Sequence, residues 1–212
     1  MNIYENFFPL ALDIQGWNGT SDVFSNLIDE TNPTTIIEVG TWKGQSAITM
    51  AQHLKARGLN SKLYCVDTWL GALEFFDETL GCLSLENTRK ERDLMYVNGY
   101  PNVYYQFLSN VVHTRNTEII VPIPNTSLIA SRYFKNHKIE AEMIYIDGSH
   151  EYDDVCLDLD AYFPLLKSGG VIFGDDYVNE WFGVVRAVNE FATKYSLEIE
   201  IRENNFWIIR KP

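Results

Sequence analysis

Short apolar runs alternate with amphipathic stretches along this chain. The run TIIEV at Thr35–Val39 ends at Gly40 and reads as a buried strand. A turn over residues 40–44 leads into GQSAITMAQHLKAR, whose apolar residues recur three and four apart, so a helix is predicted with Gly58 as its stop. The same alternation recurs downstream. Strands are predicted at residues 62–66 (KLYCV), 118–121, 142–146 (EMIYI) and 170–173 (GVIF), and helices at 126–136 and 152–166. Residues 197–201 and 205–209 flank a short polar turn and read as an antiparallel hairpin. Strands separated by helices need crossover connections. The expected class is therefore α/β, doubly wound, with a mostly parallel sheet covered on both faces.

Two stretches fall outside this rhythm. The first, about residues 1–30, has no positive leader and carries Glu5 and Asp13, so it reads as a structured or partner-covering segment and not as a secretory signal. The second, about residues 70–101, is too long for a simple connection and carries Phe75, Phe76, Asp77, Glu78 and the cluster Arg89, Lys90, Glu91, Arg92. Such a segment inside a domain is expected to be a lid or an extra helix. With 212 residues the chain is expected to form one domain spanning 1–212.

Composition narrows the partners. Seventeen Lys and Arg against 29 Asp and Glu leave a net charge of −12 with no basic block, which argues against a nucleic-acid partner. No uninterrupted apolar run is long enough for a membrane span. Cys65, Cys82 and Cys156 form no C-x-x-C pair, so neither a disulfide framework nor a thiolate zinc site is expected, and a cytoplasmic location fits. A small-molecule partner is expected, with a homo-oligomer left open.

The candidate chemistry lies at the ends of the predicted strands. Ligands of doubly wound sheets bind beyond the carboxyl ends of the strands, where glycines admit a close approach and helix N-termini offer N–H groups. The first turn reads Glu38-Val39-Gly40-Thr41-Trp42-Lys43-Gly44. It is not the G-x-G-x-x-G fingerprint, and by itself it is equally a tight strand-to-helix turn. The second strand ends in Asp67, placed to accept from ribose hydroxyls or else to cap a helix. Together they argue for an adenosine-bearing cofactor. The fourth strand runs into Asp147-Gly148-Ser149-His150 and the fifth into Gly174-Asp175-Asp176. Asp147, Asp175 and Asp176 thus converge on the edge that holds Gly40 and Asp67. Carboxylates crowded together repel unless a cation sits between them, and an oxygen-only set suits Mg²⁺ or another hard divalent ion.

The segments IIEVGTWKGQSA, VDTW, IYIDGSHEY and GGVIFGDDY jointly resemble class I S-adenosylmethionine-dependent methyltransferases, in particular the metal-assisted O-methyltransferases of macrolide and other antibiotic sugars. The resemblance covers about residues 34–190. It implies a Rossmann-like, seven-stranded sheet with an antiparallel final strand. It also implies that Glu38, Gly40, Thr41, Gly44 and Ser46 hold the methionine end of S-adenosyl-L-methionine, that Asp67 holds the ribose, that Thr126 and Ser127 lie at the adenine, and that Asp147, Asp175 and Asp176 hold the metal. Where such enzymes carry an acid and a serine after the third strand, this chain has Asn125-Thr126-Ser127, so the serine is kept and the acid is not.

His150 lies three residues past Asp147, and both are candidates for catalysis, His150 as the base that takes the acceptor's proton, since a cation held by Asp147 would make that carboxylate a poor base. His53, His113 and His137 fall on or beside helical stretches and read as surface or packing residues. Trp42, Trp69, Tyr177 and Trp181 fall near the expected site, yet aromatic residues pack well anywhere. Glu151, Asp153 and Asp154 read as helix-start chemistry. The activity expected from these residues is methyl transfer to an oxygen of a small polar acceptor, a sugar hydroxyl by the resemblance. A NAD-linked oxidoreductase on the same sheet and a non-catalytic partner subunit that keeps the fold are the alternatives.

Overall fold

The computed structural model describes residues 3–72 and 94–212. Its elements in chain order are α1 (Asp22–Thr31), β1 (Thr35–Val39), α2 (Gln45–Ala56), β2 (Lys62–Asp67), α3 (Val103–His113), β3 (Ile120–Pro124), α4 (Ser127–Asn136), β4 (Ala141–Ile146), α5 (Tyr152–Tyr162), β5 (Leu166–Gly174), α6 (Phe182–Tyr195), β6 (Ile199–Arg202) and β7 (Phe206–Arg210). Most of the expected lid falls on residues 73–93 and so lies outside the described residues, as does Cys82. Of its flanks, Leu94 is buried and Val97 pairs with Tyr100 in an isolated antiparallel bridge.

The seven strands form one sheet in the order β3-β2-β1-β4-β5-β7-β6. Strands β1 to β5 are parallel, while β7 runs antiparallel to both β5 and β6. The expected doubly wound, Rossmann-like sheet with its antiparallel final strand is present. Because β1 to β5 are parallel, Val39, Asp67, Pro124, Ile146 and Gly174 all end at one edge.

One apolar cluster packs each face of the sheet. Val23, Phe24, Leu27, Ile28, Ile48, Phe107 and Phe173 lie in one, and Ile37, Ile144, Phe134, Leu159, Val188 and Trp207 in the other. Helix α1 was not anticipated, although its signals are in the chain. Ser21 caps it by accepting from the Val23 N–H at 3.0 Å, and Phe24 packs edge-on against Tyr145 at 5.1 Å.

Several boundaries move for physical reasons. The third strand begins later than expected and continues through Pro122 and Pro124. Proline cannot donate to a sheet ladder, but β3 is an edge strand and has a side where no donor is needed. The helix expected to run to residue 166 stops at Tyr162, where Pro164 lies in a 3₁₀ turn at Phe163–Leu165. Among the described residues no helix is long and apolar enough to cross a membrane.

Candidate active site

The turn after β1 is built on two left-handed glycines. Gly40 has φ of +82° and Gly44, the N-cap of α2, has φ of +87°. A Cβ on Gly40 would lie 2.1 Å from the Asp147 carbonyl oxygen, so the first loop and the loop after β4 are pressed together backbone to backbone. No side chain caps α2, which leaves its first N–H groups available at the sheet edge.

Asp67 holds this turn from the neighbouring strand. Its Oδ2 accepts from the N–H groups of Thr41 at 2.9 Å and Trp42 at 2.8 Å, and its Oδ1 from that of Trp69 at 2.7 Å. The same carboxylate lines the cavity, so the position read as a ribose acceptor also positions the loop. Trp69 is buried and donates its indole N–H to the Trp42 carbonyl at 2.7 Å, which makes it a packing residue.

Glu38 is fully buried and stands behind the cavity wall, not on it. Its carboxyl accepts from the hydroxyls of Ser46 and Thr41 and from the Cys65 thiol. Burial pushes its pKa up to about 7, against the opposing pull of those three donors. The folded-state value therefore lies above the ordinary 4.5. Stability from the protonated form is complete below about pH 4.5 and is lost as the pH rises toward 7, because the unfolded chain ionises first. Glu38→Gln is neutral at every pH. Urea unfolding at pH 5 and pH 8 should show a stability loss in the parent that exceeds the variant's by about 2.5 kcal/mol, the part of the linkage value that falls in this window. Equal pH dependence in the two proteins would place the titration elsewhere.

The cavity at this edge holds about 780 Å³, within the range of small-molecule sites. Gly40, Thr41, Trp42, Ser46 and Asp67 form its middle. Thr126, Ser127, Leu128, Leu157 and Asp158 line one end, and Asp147, His150, Asp175, Asp176 and Trp181 the other. Thr126 caps α4 by accepting from the Ile129 N–H at 3.4 Å. Gly44, like Glu38, lies behind the wall.

A third side was missed in the sequence. Gln15, Trp17 and Asn18 line the cavity from the N-terminal segment. Gln15 accepts from the Trp42 indole at 3.1 Å, and the buried Lys43 pairs with Asp13 at 2.6 Å. Asn110 of α3 accepts from the Asp13 N–H and donates to the carbonyls of Asp13 and Lys43. The readable signal was chemical: a lysine in a strand-to-helix turn of an α/β chain needs an acid, and Asp13 supplies it.

At the acidic end, Asp147 accepts from the Tyr145 hydroxyl at 2.9 Å, and its pKa is pushed well up by burial and by the charges of Asp175 and Asp176. Asp175 is pushed up to about 6 by burial and by Asp176. Asp176 adopts φ of +62°, and its Oδ2 lies 2.8 Å from His150 Nε2. The His150 ring stacks on Trp181 with centroids 4.1 Å apart. Asp147, His150 and Asp176 each offer a ligand atom, all within 4.8 Å of one another. Asp175, expected in the metal set, has its two oxygens turned to other partners: Oδ2 accepts from the Asn18 amide at 3.0 Å and Oδ1 from the Asp176 N–H at 2.7 Å.

The other residues singled out take ordinary roles. His53 pairs with Asp29, while His113 and His137 meet the carbonyls of Leu10 and Tyr133. The Tyr177 hydroxyl accepts from Asn189. Asp154 accepts from Ser149 at 2.9 Å.

Residues 37–177 match the family described as "Methyltransferase domain". Among curated proteins, y4gI of Sinorhizobium fredii is 28% identical over 168 residues, which cover 78% of this chain and 16% of that protein. A second, R132 of Acanthamoeba polyphaga mimivirus, is 28% identical over 177 residues, covering 79% of this chain and 65% of that protein. The chain thus spans less than two thirds of either relative's length. Solved structures share the fold at low identity. The O-methyltransferase NovP superposes with a TM-score of 0.62 at 16% identity, covering 90% of this chain and 78% of NovP. An O-methyltransferase from Bacillus cereus in complex with SAH gives 0.59 at 16%, covering 95% and 84%. TomG from Streptomyces achromogenes, an O-methyltransferase involved in tomaymycin synthesis and solved in complex with SAM, gives 0.60 at 12%, covering 95% and 82%.

Proposed function

The chain belongs to the methyltransferase-domain family, and from that premise we propose that it is an S-adenosylmethionine-dependent O-methyltransferase acting on a small polar acceptor, a sugar hydroxyl, with a divalent cation such as Mg²⁺. The observation that carries this reading is a single cavity that joins the glycine turn, Asp67 and the α2 N-terminus to the cluster Asp147, His150 and Asp176. NovP and TomG, which share the fold, are O-methyltransferases, and this supports oxygen as the acceptor atom. Without a G-x-G-x-x-G turn, a NAD-linked reading has less to stand on.

In this assignment the α2 N-terminus receives the methionine carboxylate, and Asp67, at the centre of the wall, accepts from the ribose. The donor set also fits a hard cation. Half-buried Asp147 and its acidic neighbours destabilise one another as they stand, and a positive charge among Asp147, His150 and Asp176 relieves that repulsion. When bound, the cation lowers the pKa of the acceptor hydroxyl and fixes its oxygen. The acceptor oxygen bonds to the donor's methyl carbon as the carbon–sulfur bond breaks, S-adenosylhomocysteine (SAH) departs, and the hydroxyl proton passes to a basic group of the site. His150 Nε2 faces Asp176, so the role of cation ligand and the role of proton acceptor fall on the same nitrogen.

The test is isothermal titration with S-adenosylmethionine, SAH and NAD in parallel. SAH should bind and, at a hundredfold excess over its Kd, raise the melting temperature by roughly 5–10 °C. Binding of NAD without binding of either adenosyl ligand would overturn the assignment.

A further inference from the structure

We propose that Asp158 of α5 is the residue that recognises the adenine amino group of the methyl donor. This inference rests on the donor reading above and adds a binding residue to it. The direction of the bound donor follows from the topology. The acids at the ends of β4 and β5 mark the methyl-transfer end of the cavity, and the loop after β3, an edge strand, marks the end farthest from them in the sheet order. The nucleobase then lies among Thr126, Ser127, Leu128, Leu157 and Asp158.

That end sets two apolar side chains, Leu128 and Leu157, among polar groups, so it offers both contact area and hydrogen-bond partners to a nucleobase. The loop Asn125-Thr126-Ser127 supplies no acid. Asp158 brings the carboxyl from a different element. It is 6% exposed and lies on the cavity wall. Ser127 lies beside it and draws its pKa down against the effect of burial. The start of α4 is tied to α5 by the Tyr162 hydroxyl, which donates to the Ser127 carbonyl at 2.8 Å, so Asp158 faces this end of the cavity from a fixed helix. Burial and the charge of Asp154 push its pKa up to about 6, so at pH 8 it is ionised and can only accept. The exocyclic amine of adenine is the donor that matches a buried acceptor here, and a purine bearing hydrogen at C6 leaves that acceptor unpaired.

The experiment measures the binding of SAH and of its 6-deamino counterpart, at pH 8, to the parent chain, Asp158→Leu and Asp158→Asn. The parent should prefer SAH by roughly 10- to 100-fold, the range expected for a hydrogen bond to a charged group. Asp158→Leu should bring that ratio close to one, with SAH affinity falling and the affinity of the deamino ligand hardly changed. If the leucine variant does not fold, the isosteric asparagine, whose amide can also turn its donor face inward, should reduce the ratio at least several-fold. A parent that binds both ligands equally, or variants that weaken both ligands by the same factor, would assign Asp158 to structure alone and leave the donor reading intact. A parent that binds neither ligand would sink the donor reading itself.

Discussion

Gly40→Ala should abolish SAH binding and lower the melting temperature by roughly 5–10 °C, on a scale of about 2–4 °C per kcal/mol for a chain of this size. Two costs combine. At φ of +82° an alanine is strained even in open space. The space is also closed: the new Cβ would sit 2.1 Å from the Asp147 carbonyl oxygen, 2.4 Å from its carbonyl carbon and 2.4 Å from the Gly148 Cα. All three are backbone atoms at the end of β4 and cannot turn aside as the tip of a side chain can. The first loop must therefore move away from the second, and the N–H groups of Thr41 and Trp42 leave the Asp67 carboxylate. Gly58→Ala is the control. Gly58 also has positive φ, at +67°, but a Cβ there meets nothing within 4 Å. It should cost about 1 kcal/mol and leave SAH binding unchanged. Calorimetry and titration on the two variants separate conformational strain from collision. Equal behaviour would show that the contact between the two loops does not shape the cavity.

The parallel sheet was legible because each of its buried strands is a continuous apolar run ending at a chemically marked residue: TIIEV at Gly40, KLYCV at Asp67, EMIYI at Asp147 and GVIF at Gly174. Parallel topology then forces those endings to one edge, so Asp67, Asp147, Asp175 and Asp176 could be placed together without any coordinate. What pattern reading lacks is direction at the scale of a side chain. Asp175 and Asp176 are adjacent in sequence and were equivalent on that ground, yet a left-handed Asp176 sends its carboxylate to His150 while Asp175 is taken up by Asn18. Asn18 itself is 157 residues away in the chain. The N-terminal segment escaped for the same reason. It has little regular structure before α1, and its hold on the fold is a set of side-chain contacts to Asn110, Lys43 and Trp42 that no periodicity announces. Asp158 was hidden differently, a turn beyond Asp153 and Asp154, the helix-start acids on which the sequence reading of this helix stopped.

Asp147→Asn should cut cation-dependent methyl transfer by at least roughly 10³-fold while making the cation-free protein more stable, as expected where a functional site is held in a strained state. The gain arises from the electrostatics. Burial together with the charges of Asp175 and Asp176 disfavours an ionised Asp147, and an amide in its place removes the charge while its carbonyl oxygen can still accept from the Tyr145 hydroxyl. In EDTA at pH 8 the variant should melt about 2–8 °C above the parent, which corresponds to about 1–2 kcal/mol. Adding Mg²⁺ should raise the melting temperature of the parent and leave that of the variant unmoved. SAH affinity should stay within a few-fold in both, because the carboxylate lies at the acceptor end of the cavity. His150→Ala, measured alongside, resolves the double assignment of Nε2: a ligand role predicts weakened Mg²⁺ binding, whereas a proton-acceptor role predicts unchanged Mg²⁺ binding with kcat down by roughly 10²- to 10⁴-fold. An Asp147→Asn variant with full activity in EDTA would show that the acidic end takes no part in transfer.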